Sequence, residues 1–255
     1  MQATSHPEIN HLLDILLSQI QAILGKKLVG VYLYGSLVTG DFDTESSDID
    51  VLAALSSEID EKEFTQLRQM HTDFAHHHKE WENRIEVRYL SLLALKTFKV
   101  QSSPIASIDP GEPFHIREVG KHWLMNWYVV REKGVTLFGP SPKSIIEPIA
   151  KEEFRESVKD HTKSWGEWMN DMHTRPAQAY AILTLCRALY SYTYGEQVSK
   201  KKAAEWAQTA LPDWSSFIQN ALIWRDDKRE EQVDHNATYP LTARFVHFII
   251  DRIVG

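Results

Sequence analysis

Leu33-Tyr34-Gly35-Ser36 and, after eleven intervening residues, Asp48-Ile49-Asp50-Val51-Leu52 form the stretch on which the reading of this chain turns. Leu28-Val29-Gly30-Val31-Tyr32-Leu33-Tyr34 is a run rich in β-branched and aromatic residues that stops at Gly35-Ser36, the pattern of a buried strand entering a turn. A polar stretch, Thr39-Gly40-Asp41-Phe42-Asp43-Thr44-Glu45-Ser46-Ser47, leads to a second strand over 48–55. Asp48 and Asp50 stand two apart on that strand and project from the same face, which is how a sheet presents a pair of hard oxygen ligands to Mg²⁺. Gly35 and Ser36 offer close backbone approach, a hydroxyl and amides at a helix start, where phosphate is favoured.

Downstream, the spacing predicts a helix from about Glu61 to Lys79 and then a strand on which Ile85, Val87 and Tyr89 alternate with Arg84, Glu86 and Arg88. Glu86 therefore points away from the core and supplies a third carboxylate, able to converge with Asp48 and Asp50 if the two strands are neighbours. Such a site suits phosphoryl or nucleotidyl transfer: metal neutralises developing charge, and a carboxylate takes the acceptor hydroxyl's proton. Arg84 and Arg88, as nearby cations, would keep Glu86 ionised and less basic.

Around this centre, Leu12, Leu13, Leu16, Ile20, Ile23 and Leu24 mark an amphipathic opening helix stopped by Gly25. Residues 102–120, rich in Pro, Gly and Ser, are expected to form a long active-site loop, followed by a helix over 121–133. Trp123 and Trp127, four apart on that helix, are candidates for a wall against a cationic ligand, with core packing the alternative for at least one of them. Gly139-Pro140-Ser141-Pro142 marks a domain boundary, and helices are expected at 151–171, 177–194, 200–210, 213–224 and 239–253. The fold class is α+β: an N-terminal mixed sheet with helices over residues 1–140 and an all-α bundle over 141–255.

The composition, 43% hydrophobic and 25% charged, excludes a disordered or collagen-like chain. A net charge of −7 argues against a nucleic-acid binder needing a broad basic face and suits a cationic small-molecule substrate. The single cysteine, Cys186, allows neither an intrachain disulfide nor a thiolate zinc site. With no basic leader and no long apolar span, a cytoplasmic, monomeric protein without membrane attachment is expected.

The segment from Leu33 to Leu52 resembles the signature of polymerase-β-like nucleotidyltransferases. Two further stretches, Arg131-Glu132-Lys133-Gly134-Val135-Thr136-Leu137-Phe138-Gly139-Pro140 and the pair Leu183-Thr184-Leu185-Cys186-Arg187-Ala188-Leu189-Tyr190 with Ser199-Lys200-Lys201-Lys202, are similar in matching order to the streptomycin/spectinomycin adenylyltransferase family. That resemblance implies a C-terminal helical domain, Mg²⁺ (two ions) with ATP as co-substrate, an aminoglycoside-type acceptor, and AMP transfer with release of pyrophosphate. It carries metal binding to Asp48 and Asp50, the catalytic base to Glu86, phosphate contacts to Arg187 and Lys200, and the phosphate turn to Gly35 and Ser36. Where streptomycin-modifying members carry acidic residues, this chain reads Arg175-Pro176-Ala177-Gln178-Ala179-Tyr180, which favours spectinomycin over streptomycin.

Several alternatives stand beside these readings. The acceptor could be another hydroxylated metabolite or a protein side chain, or the scaffold could bind nucleotide without turnover. Glu86 could pair with Arg84 or Arg88, Arg187 could form a salt bridge, and Lys200 could be solvated like Lys201 and Lys202. His76-His77-His78 points in several directions and reads as a solvated helix end, while Trp165, Trp168 and Trp206 read as bundle core.

Overall fold

The computed structural model describes residues 2–44, 47–226 and 234–255, without the side chains of residues 226 and 235; Glu45 and Ser46 of the polar stretch before Asp48 lie outside the described residues. The chain divides into two compact units, Met1–Ile149 and Ala150–Gly255.

The first unit opens with α1 (Pro7–Leu24), whose apolar stripe Ile9, Leu12, Leu13, Leu16, Ile20 and Leu24 is buried. β1 (Leu28–Tyr34), the short α2 (Ser36–Thr39), β2 (Ile49–Leu55), α3 (Glu61–His77), β3 (Ile85–Ser91) and α4 (Leu92–Thr97) follow. β4 (Ser103–Ile108), β5 (His115–Val119), α5 (Leu124–Lys133), β6 (Val135–Phe138) and α6 (Pro142–Ile145) complete it. The six strands lie in the order β5-β4-β3-β2-β1-β6. β2 and β3 run parallel, joined through α3, and the other neighbouring pairs are antiparallel. One sheet face, with Val31, Leu33, Ile49, Val51, Ala53, Val87 and Tyr89, packs with α1 and α3 into the main core. A capping box between Asp60 and Glu63 starts α3, satisfying two backbone donors reciprocally.

Residues 102–120 form a hairpin rather than the expected loop. Pro110 and Gly111, the latter at φ +76°, turn the chain between Asp109 and Glu112, whose N–H donates to Asp109 O at 3.0 Å. Pro104 is tolerated in β4 because it lies beyond the positions that pair with β3, which are Ala106, Ser107 and Ile108. The segment after Gly139 also stays with the first unit: Tyr32 Oη donates to Pro140 O at 2.9 Å, Glu147 N to Leu95 O at 3.1 Å, and Lys99 Nζ to Pro148 O at 2.6 Å. These bonds tie residues 140–148 to the first compact unit, which runs to Ile149.

The second unit is helical: α7 (Lys151–Lys163), α8 (Trp165–Trp168), α9 (Arg175–Tyr194), α10 (Lys200–Ala210), α11 (Ser215–Asp226) and α12 (Tyr239–Val254). α9 is its buried axis, packed by α7, α10, α11 and α12. Thr174 and Ser199 accept N-cap hydrogen bonds at the starts of α9 and α10, and Gly195, at φ +67°, ends α9. Trp165 belongs to the bundle core, whereas Trp168 is 41% exposed, because α8 is a single turn that covers only one of the two. No helix of the described residues is long and apolar enough to cross a membrane.

Candidate active site

Register places Tyr34, Asp50 and Glu86 in one row across three adjacent strands, since Asp50 is the partner of Tyr34 in β1 and of Glu86 in β3. Their neighbours Leu33, Val51 and Val87 point into the main core, so the period of two turns this row to the opposite face. That face is also largely covered: Arg88 on it is buried, and the Glu86 side chain is only 17% exposed. Asp48 precedes β2 by one residue and is half-buried. Arg84 fixes the backbone just before it, donating from Nε and Nη2 to Ser47 O at 3.2 and 2.5 Å while lying over the Trp81 ring at 4.6 Å.

The turn above the row requires glycine. Gly35 adopts φ +72°, a region that penalises any side chain, and a Cβ there would overlap the Asp50 carboxylate. Ser36 then begins α2, and Gly35 O accepts from Val38 N and Thr39 N at 3.3 and 3.1 Å.

Glu86 Oε1 accepts from the Tyr34 hydroxyl at 2.9 Å and forms an ion pair with Arg88 Nη1, which also donates to Tyr34 Oη at 2.9 Å. Of the two arginines flanking Glu86 in sequence, Arg88 is thus the one that meets it, while Arg84 is turned to Ser47. Arg88 Nη2 donates to Asp109 Oδ1 at 2.8 Å, and Asp109 Oδ2 accepts from Ser107 Oγ at 2.8 Å. Burial holds the Tyr34 hydroxyl well above the usual phenol range, with Arg88 opposing and Asp50 and Asp109 reinforcing the rise, so Tyr34 remains a donor.

Asp109, Glu112 and His115 also bring their ligand atoms within 4.8 Å of one another. That convergence is already filled by a cation, because Arg117 reaches His115 Nε2 at 2.9 Å, Glu112 Oε2 at 3.0 Å and Asp109 Oδ2 at 3.2 Å. His115 Nδ1 faces Pro113 O at 2.8 Å, which leaves Nε2 as the acceptor for Arg117. Local pattern hides this cluster because Pro and Gly make the hairpin that builds it resemble a loop; the Asp-Pro-Gly-Glu turn at 109–112 is its sequence signal.

The two tryptophans differ. Trp127 is fully buried and belongs to the core, so it forms no ligand-facing wall. Trp123 is partly exposed, but Arg88 lies over its ring at 4.5 Å and Arg117 at 5.9 Å, so its ring already faces cations of the protein.

In the second unit, Arg187 lies half-buried in the apolar middle of α9. Burial first and Arg187 second keep the His161 imidazole below its usual range, hence neutral. Lys200, the first residue of α10, places Nζ 3.9 Å from the centroid of the Tyr180 ring, whereas Lys201 and Lys202 are exposed. Cys186 is buried, which pushes its thiol up. The three consecutive histidines do not converge: His77 Nδ1 faces Asp73 O at 2.6 Å, and His78 packs on Phe74.

A mixed sheet with carboxylates in register on neighbouring strands, closed by a glycine turn, defines the class: the first unit is a nucleotidyltransferase domain, and residues 13–117 match the nucleotidyltransferase domain family model. Residues 144–252 match the model described as aminoglycoside adenylyltransferase, C-terminal domain. The two matches stand in this order and together take in most of the chain, the C-terminal one being to the aminoglycoside adenylyltransferase model. The chain is 25% identical to an aminoglycoside (3'')(9) adenylyltransferase of Shigella flexneri, with 97% of each chain covered. It is 27% identical to a spectinomycin 9-adenylyltransferase of Staphylococcus aureus over 76% of this chain and 75% of that one. Its fold is similar to that of a spectinomycin adenylyltransferase from Enterococcus faecialis solved with ATP and spectinomycin: TM-score 0.73, 16% identity, 96% of this chain and 98% of the other.

Proposed function

We propose that this enzyme transfers AMP from ATP to a hydroxyl of an aminoglycoside-type antibiotic, releasing pyrophosphate, with spectinomycin preferred over streptomycin. The observation that carries the reading is the register of Asp50 with Glu86 on one face, directly against the Gly35 turn. The donor chemistry fits a hard divalent cation, since Asp48, Asp50 and Glu86 offer only carboxylate oxygens. Mg²⁺, when held by Asp48 and Asp50 with Glu86 as third carboxylate, neutralises charge that develops on the triphosphate.

The chain's own residues do the rest. Glu86 takes the proton of the acceptor hydroxyl on the carboxylate oxygen opposite the one held by Tyr34 and Arg88. The freed oxygen bonds to the α-phosphorus of ATP as the bond to the departing pyrophosphate breaks. Gly35 and Ser36 admit phosphate close to backbone, and within the second unit Arg187 and Lys200 are cationic donors of the kind from which phosphate oxygens accept.

The acceptor preference rests on the first turn of α9, which contains no acidic residue. Gln178 is turned into the bundle, its Oε1 accepting from Thr238 Oγ1 at 2.7 Å and Thr242 Oγ1 at 3.0 Å. A strongly cationic drug finds no carboxylate in that turn, and an unpaired buried charge is costly. Mass spectra of spectinomycin and streptomycin after incubation with protein, ATP and Mg²⁺ test this. An adenylyl adduct on spectinomycin alone is expected; equal adducts on both would overturn the preference, and no adduct on either drug would overturn the acceptor class.

A further inference from the structure

We propose that Arg88 is a positioning residue for the transfer, clamping the Glu86 carboxylate through a guanidinium bridge to Asp109; the inference rests on the role proposed for Glu86. Arg88 follows Glu86 by two residues on β3 and so shares its face. Its guanidinium is fixed from several sides. Nη1 meets Glu86 Oε1 and donates to Tyr34 Oη, Nη2 donates to Asp109 Oδ1 at 2.8 Å, and the group lies over Trp123 at 4.5 Å.

The far anchor is itself held, because Asp109 Oδ2 accepts from Ser107 Oγ and pairs with Arg117. Ser107 is the β4 partner of Arg88, so the sheet register sets the length of the bridge. The Arg88 side chain is 7% exposed, and its Nε finds no hydrogen-bond partner among the described residues. A buried donor left unmatched is a cost that plain stability would select against. The arrangement makes sense as precision at Glu86, whose flexible side chain would otherwise sample several rotamers. Lysine can replace it only in part, since a single ammonium does not present two parallel edges to two carboxylates.

The test combines Arg88→Gln, Arg88→Lys, Glu86→Gln and the Arg88→Gln/Glu86→Gln double variant, with transfer followed by radiolabelled ATP. Arg88→Gln is expected to lower kcat about 10- to 100-fold with KM for ATP and acceptor held within about threefold, and Arg88→Lys to recover part of the loss. On the Glu86→Gln background the same change should cost less than about twofold, because a residue acting through Glu86 has nothing left to act on. Unchanged kcat in Arg88→Gln, an equal loss on both backgrounds, or a rise confined to the acceptor KM would each overturn the proposal. Should Arg88→Gln fail to fold, Asp109→Asn loosens the far anchor and is expected to give a smaller loss with the same kcat selectivity and the same dependence on Glu86.

Failure of the parent reading looks different: the wild-type protein itself would transfer nothing, or Glu86→Gln would turn over normally. The bridge is then read from urea midpoints. Single-variant losses that exceed the double variant's loss when summed support it, and strict additivity overturns it.

Discussion

The Asp50 carboxylate occupies the space that a side chain on Gly35 would need. Turn and metal-ligand candidate are therefore packed as one unit, and the left-handed φ of +72° at Gly35 adds a backbone reason to the steric one. Gly35→Ala should cost about 1–3 kcal/mol from the backbone alone and displace Asp50 besides. The expected outcome is at least a hundredfold loss of pyrophosphate release, beyond what a melting temperature lowered by a few degrees explains. Near-normal turnover would mean that the Asp50 position is not critical.

Removing the charge at Asp50 tests the metal reading separately. Asp50→Asn keeps the shape of the side chain and its place in the β1–β2–β3 row, so the fold should survive. Transfer should fall by about 10³ or more, and chelation of Mg²⁺ by EDTA should stop the wild-type reaction reversibly. Turnover that persists in EDTA would exclude the proposed metal role.

Tyr34 gives a graded counterpart. Its hydroxyl donates to Glu86 Oε1 at 2.9 Å and receives Arg88 Nη1 at 2.9 Å. Tyr34→Phe removes one holder of Glu86 and leaves the Arg88 ion pair, so a roughly three- to tenfold fall in kcat is expected, with about 1 kcal/mol of stability lost in urea unfolding.

Away from the site, His71 is buried on α3 with Nε2 2.8 Å from the Tyr89 hydroxyl, and burial lowers its pKa from 6.5 to about 3. The unfolded chain takes a proton at this histidine near pH 6.5 while the folded chain refuses it until about pH 3. The unfolded state therefore binds the extra proton throughout that window, and stability falls as pH drops through it, by up to about 1.4 kcal/mol per unit. His71→Gln should lose this slope. Urea unfolding of both proteins at several pH values between 7 and 4 checks it, and identical slopes would show that His71 is not the sensor.

Much of this was legible in local pattern, and the reasons are physical. The run Leu28–Tyr34, the break at Gly35-Ser36 and the Asp48/Asp50 spacing carry strand, turn and a spaced pair of carboxylates within one short window. The alternation of Ile85, Val87 and Tyr89 likewise put Glu86 on the correct face. What stayed hidden depends on register between strands distant in sequence. That Asp50 meets Glu86 follows from the β2–β3 pairing, and that Arg88 meets Asp109 needs the β4–β5 hairpin, which Pro104, Pro110 and Gly111 disguised as loop. The cations over the Trp123 ring, Arg88 and Arg117, are likewise brought there by register and by the hairpin rather than by sequence neighbours.

Acceptor choice can be challenged with one substitution at the start of α9. Ala177 is the third residue of that helix, its N–H facing the Thr174 N-cap hydroxyl, and it is only partly buried. An acid placed there sits in the first turn, where the helix dipole favours negative charge by about 0.3–1 kcal/mol, so Ala177→Asp should fold at least as stably as the parent. It would also give the turn a carboxylate able to meet a guanidinium or ammonium. Streptomycin adenylylation should rise at least tenfold relative to spectinomycin, measured as the ratio of kcat/KM values for the two drugs. If the ratio does not move while the helix remains intact by circular dichroism, the missing acid is not what sets the preference, and acceptor selection must be sought in other residues of the second unit.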